Sequence, residues 1–78
     1  MSLKLNYEHF RNGDFGDISR IEVEKGNKAG YIDFYSSGTV NIHLVNMETG
    51  EDVINVLLFP EQKENVNQYL LATLAELT

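Results

Sequence analysis

The side chains of this chain that could do chemistry are few. There are two histidines, His9 and His43, and no cysteine, which excludes thiolate metal sites and nucleophilic thiols. Paired carboxylates can raise one another's pKa or hold a cation, and a carboxylate beside a histidine can act as a general base. Glu22, Asp33 and His43 are the candidates for such work. A mechanism would also need a nucleophile or a full metal set. Ser36 and Ser37 fall in a turn away from His43, and the two histidines fall on different elements. The simpler reading is that Arg20 neutralises the carboxylates and that His43 is a surface residue bonded to Tyr31 or Asn55. No enzymatic activity, metal or cofactor is expected.

Two motif matches fail on inspection. Asp14-Phe15-Gly16 spells the magnesium tripeptide of kinases, yet 78 residues hold no glycine-rich loop, lysine strand or catalytic loop. Asn12, Asp14 and Asp17 hint at a calcium loop, which requires glycine at its sixth position and glutamate at its twelfth. Counted from Asn12, those places hold Asp17 and Val23.

Charge narrows the partners. The net charge is −6, and the six cations Lys4, Arg11, Arg20, Lys25, Lys28 and Lys63 are scattered. A phosphate-backbone binder needs them clustered, so nucleic acid is not the expected partner. The longest uncharged apolar run, Val56–Phe59, is far too short to span a bilayer. Ser2-Leu3-Lys4 opens directly into patterned sequence rather than a signal peptide. The expectation is one domain over residues 1–78, soluble and cytoplasmic, with no membrane partner.

The elements that must position these side chains follow from periodicity. Leu3, Leu5 and Tyr7 alternate with polar residues and predict a first strand over residues 3–7. Residues 8–17, rich in Gly, Asn and Asp, read as a loop that tucks Phe10 and Phe15 under the edge of the core. Residues 18–25, 31–35, 39–45 and 53–59 alternate in turn. Pro60 then opens a helix over about 61–77, with Val66, Leu70, Leu74 and Leu77 as its apolar stripe, flanked by Tyr69 and Leu71. The fold class is α+β: a two-layer antiparallel meander of four to five strands with one C-terminal helix on one face.

Turn arithmetic sets the expected register. A three-residue loop 36–38, with Gly38 left-handed, pairs Phe34 with Val40 and Ile32 with Ile42. The same loop at 48–50 pairs Met47 with Glu51, Leu44 with Ile54, Ile42 with Val56 and Val40 with Leu58. A four-residue turn 26–29 puts Val23 against Ile32 and Ile21 against Phe34. Leu5 against Ile21, and Leu3 against Val23, extend the sheet once more. Ile32, Phe34, Val40, Ile42, Leu44, Ile54, Val56 and Leu58 then share the helix-covered face.

The opposite face is the functional lead, because half of a two-layer sheet is left to solvent. In this register its rows are Arg20, Tyr35, Thr39 and Phe59; Glu22, Asp33, Asn41 and Leu57; and Glu24, Tyr31, His43 and Asn55. Glu22 opposite Asp33 is a warning as well as a candidate, since opposed like charges destabilise a sheet. Strand 53–59 is apolar on both sides, which suits a contact surface, as do tyrosines. The expected binding face is Tyr31, Tyr35, Asn41, His43, Val53, Asn55 and Leu57. The expected function is a small acidic non-enzymatic protein-binding domain that forms a homodimer through this face or a sheet edge. The alternative is small-ligand or single-stranded nucleic-acid binding on the same face. In topology alone, a meander followed by a helix is similar to the Whirly and transcriptional-coactivator folds that bind single strands, with no shared motif.

Overall fold

Alternation of apolar and polar residues builds five strands, and the loss of that alternation after a proline starts a helix. The structure, a computed structural model, describes residues 3–12 and 16–78. Strands β1 (Lys4–Asn12), β2 (Gly16–Lys25), β3 (Lys28–Tyr35), β4 (Val40–Asn46) and β5 (Asp52–Leu58) form one antiparallel sheet in chain order. A 3-10 turn, Pro60–Gln62, leads into α1 (Lys63–Leu77). This is the two-layer α+β meander that the periodicity predicts.

Proline sits where its missing N–H costs nothing. The backbone N–H of Phe59 donates to the Gln62 side chain at 2.9 Å, closing the turn. Helix α1 lies over β4 and β5 and reaches β2, where Leu77 packs on Val23 and Leu44. A second cluster joins Ile32, Val40 and Ile42 to Val66, Tyr69 and Leu70 of the helix. The buried stripe is centred on Thr73, whose hydroxyl donates to the Tyr69 carbonyl at 2.7 Å and so enters the core satisfied. Leu74 and the flanking Leu71 are exposed instead, because Thr73 and Leu77 take the sheet-facing positions. At the helix C-terminus, Lys28 donates to both the Glu76 carbonyl (3.0 Å) and its carboxylate (2.6 Å), which ties α1 to the β2–β3 turn.

The β3–β4 register is as expected, with Phe34 opposite Val40, Ile32 opposite Ile42, and Gly38 at φ +97°. Three other details differ. The β2–β3 turn has two residues, Gly26-Asn27, with Gly26 at φ +62° supplying the first central position of a tight hairpin turn. Ile21 therefore faces Ile32, and Val23 faces Gly30. The shift is even, so every side chain keeps its face while its neighbour changes. The β1–β2 register moves likewise, with Leu5 opposite Val23 and Tyr7 opposite Ile21.

The third difference is a bulge. Asn46 accepts at its carbonyl from Gly50 N–H, and its N–H bonds to the Glu51 carbonyl, so the β4–β5 loop is longer than three residues. Val45 then faces Asp52 while Leu44 still faces Ile54, leaving Val53 as the extra residue.

Residues 8–12 are strand, not loop. Tyr7 and His9 both bond Ser19 at 3.3 Å, and Phe10 pairs with Ile18, so cross-strand contacts carry β1 through a polar stretch. Phe10 is accordingly 40% exposed and not tucked under the core. Phe15, like the Asp14-Phe15 part of the rejected motifs, lies outside the described residues.

Candidate interaction surface

The open face is built by the residues that alternate with the core. In the observed register its central row is Arg20, Asp33, Asn41 and Leu57, and the next is Glu22, Tyr31, His43 and Asn55. The expected Glu22–Asp33 carboxylate pair does not form, because the two-residue turn slides Arg20 opposite Asp33 and Tyr31 opposite Glu22.

Arg20 grips Asp33 with two hydrogen bonds, Nε to Oδ1 at 2.7 Å and Nη2 to Oδ2 at 2.9 Å. Asp33 is 2% exposed, so this is a bidentate pair over a nearly dry carboxylate. The hydrogen-bonded carboxylate raises the Arg20 pKa above its ordinary value, against desolvation, which opposes it. The same guanidinium stacks over Tyr31 at 4.3 Å and lies 5.6 Å from the Phe10 ring. Arg20 is therefore used up within the fold. Asp33 is also spent, and His43 has a different partner.

That partner comes from the bulge. His43 donates from Nε2 to Asp52 Oδ1 at 2.9 Å, and Asn55 donates to the other carboxylate oxygen at 3.3 Å. These bonds, the one from His43 first, hold the Asp52 pKa below its usual value. The ring of Tyr31 meets His43 edge-on at 5.7 Å. The expected hydrogen bond from His43 to Tyr31 or Asn55 is thus replaced by a ring contact and a shared carboxylate. Among the described residues, no three of His, Asp and Glu converge as a metal set. No helix there is long and apolar enough to cross a membrane.

Of the expected binding face, Tyr31, Tyr35, Asn41, His43, Asn55 and Leu57 do share the open side. Val53 does not, because the bulge turns it to pack against Val23, Leu44 and Leu77. Of the six, Asn55 and Leu57 are exposed, while Tyr31, Tyr35, Asn41 and His43 are half-buried by their neighbours.

A bare apolar surface also lies elsewhere, on an edge strand. Leu5 and Tyr7 of β1 are each 64% exposed, and Leu3 beside them is 40%. They stand on the helix side of the sheet, in phase with Val23 and Ile21, but beyond the reach of α1. Periodicity placed them correctly by side and wrongly assumed a cover. Simple dimensions carry the missing signal: a helix is about 10 Å wide and strands lie about 4.8 Å apart, so one helix covers only two or three of five. β1 is also an edge strand, with one row of backbone N–H and C=O groups unpaired within the sheet. No family model matches this chain, and no curated protein or solved structure is significantly similar to it.

Proposed function

We propose that this chain is a small, acidic, non-enzymatic protein-binding domain that docks along the edge of β1, and that its partners include a second copy of itself. The observation that carries this reading is the coincidence of three features on one strand. β1 is an edge, it has no proline, and it presents Leu5 and Tyr7 to solvent beside Leu3. Exposed apolar residues on a free edge offer both halves of strand addition: backbone bonds for affinity and side chains for selectivity.

Base stacking on the open face is the weaker reading. The ring of Tyr31 is covered by Arg20, and that guanidinium is committed to Asp33.

Light scattering at micromolar concentration is expected to give twice the monomer mass. Leu5→Lys combined with Tyr7→Lys is expected to return a monomer with unchanged circular dichroism, since both side chains are exposed. A monomeric parent chain would overturn the self-association, and collapse of the double variant's fold would show that these residues are core. Titration with a single-stranded oligonucleotide at low salt is expected to show no binding.

A further inference from the structure

The docking role of β1 leaves the partner's orientation open, and the residues on that strand restrict it. Resting on that role, we infer that two copies pair through their β1 strands about a two-fold axis at Asn6, joining two five-stranded sheets into one continuous sheet. A two-fold axis relating antiparallel edge strands runs perpendicular to the sheet. It keeps each face on its own side, so one residue of β1 must oppose its own copy. Leu5, Tyr7 and His9 project to the helix side, in line with Val23, Ile21 and Ser19 of β2. Lys4, Asn6, Glu8 and Phe10 project to the open side.

The possible axes can be compared residue by residue. With Glu8 on the axis, two carboxylates oppose each other. With Tyr7 there, Leu5 faces the partner's His9 and Lys4 faces the partner's Phe10. With Leu5 there, Lys4 faces the partner's Asn6 and Glu8 has no cation opposite. With Asn6 on the axis, Lys4 faces the partner's Glu8, Leu5 faces the partner's Tyr7, and Leu3 faces the partner's His9. Each of these contacts occurs twice by symmetry. The two Asn6 amides can bond each other, each being both donor and acceptor. Only this register matches opposite charges on one face and apolar groups on the other. Glu8 already accepts from Asn6 at 3.1 Å within one chain, so its carboxylate is held on the open face, the face from which the partner's Lys4 would approach. On the helix side, Leu5 and Tyr7 from both copies fill the uncovered strip between the two helices.

The chain has no native cysteine, so Asn6→Cys gives an unambiguous probe. Residues directly opposed across an antiparallel pair lie about 4.5–5.5 Å apart at Cα, within the range a disulfide spans. Mild oxidation at micromolar concentration is expected to convert most of Asn6→Cys to a covalent dimer, while Leu57→Cys on the other edge strand stays monomeric. Separately, Lys4→Glu and Glu8→Lys are each expected to weaken the dimer about tenfold, and the double exchange to restore it within about threefold. A parent chain that scatters as a dimer, with Leu57→Cys crosslinking and Asn6→Cys not, overturns the β1 pairing but leaves self-association standing. A crosslinked Asn6→Cys with no rescue by the double exchange overturns the register. A monomeric parent overturns both readings at once. Circular dichroism on each variant confirms that the fold is intact, and Lys4, Asn6 and Glu8 lie on the open face, away from the core.

Discussion

On β4, Ile42 and Leu44 flank the polar His43 and are 0% and 1% exposed; on β1, Leu5 and Tyr7 flank the polar Asn6 and are each 64% exposed. All four point to the same side of one sheet. The difference lies in what stands above them. Helix α1 packs on β4 and β5, and its Leu77 reaches Val23 of β2, while among the described residues no second layer covers Leu5 and Tyr7 on β1. Alternation thus encodes which way a side chain points, and the supply of a covering element decides whether that direction is inside. The covered half is a core. The bare half has the pattern of one.

The sharpest test of this contrast substitutes one residue from each half. Ile42→Ala is expected to cost about 3 kcal/mol of folding stability, from lost transfer energy and the cavity left beneath the helix. Leu5→Ala is expected to cost less than about 0.5 kcal/mol in the dilute monomer, as an exposed position should. Urea unfolding at low concentration measures both. Comparable losses would mean that β1 is covered after all and would erase the distinction between the halves.

A smaller effect is expected at the centre of the open face. Asp33→Ala should cost about 2 kcal/mol, below the range for a fully buried pair because Arg20 remains about a third exposed. The orphaned guanidinium would also lose its hold over Tyr31 and Phe10. A near-neutral result would show that the open face is held by the strands alone.

The smallest effect concerns Asp52, which lies exposed at the end of β5. Its pKa is depressed in the folded state, so the stabilising bonds from His43 and Asn55 are fully present above the ordinary carboxylate range. They are lost as pH falls through the depressed value. His43→Ala is expected to return the Asp52 titration, followed by NMR, toward that ordinary range. An unmoved titration would remove His43 as the main cause.

Much of this could be read in advance, and the failures are instructive. The strand faces were legible because a period of two is insensitive to turn errors of an even number of residues. Neighbours across the sheet were not, since they depend on each turn's length. The Gly26-Asn27 hairpin was obscured because a four-residue turn sets Val23 against Ile32, apolar against apolar, whereas the observed turn sets Val23 against Gly30 and Lys25 against Lys28, an apparent like-charge penalty. That penalty is relieved by Glu76, which lies 48 positions further along the chain from Lys28. The Arg20–Asp33 clamp was hidden by the same two-residue slip. Residues 8–12 looked like loop on composition, and only their partners on β2 make them strand. The bulge at Val53 was not legible, because strand 53–59 is apolar on both sides and a side chain displaced from one face to the other leaves that pattern unchanged.

That bulge has a consequence for how far association can go. β5 is the other edge of the sheet, and the extra residue Val53 near its start interrupts the edge along which a neighbour would have to add. β1 carries the smooth edge, and β5 the blunted one. A protein with two smooth edges has a valence of two and can grow into a fibre. With one edge blunted, the valence falls to one, and a pair joined at β1 presents only unsuitable edges at its outer ends. In the proposed β1 pair, the single displaced residue in β5 would keep assembly finite.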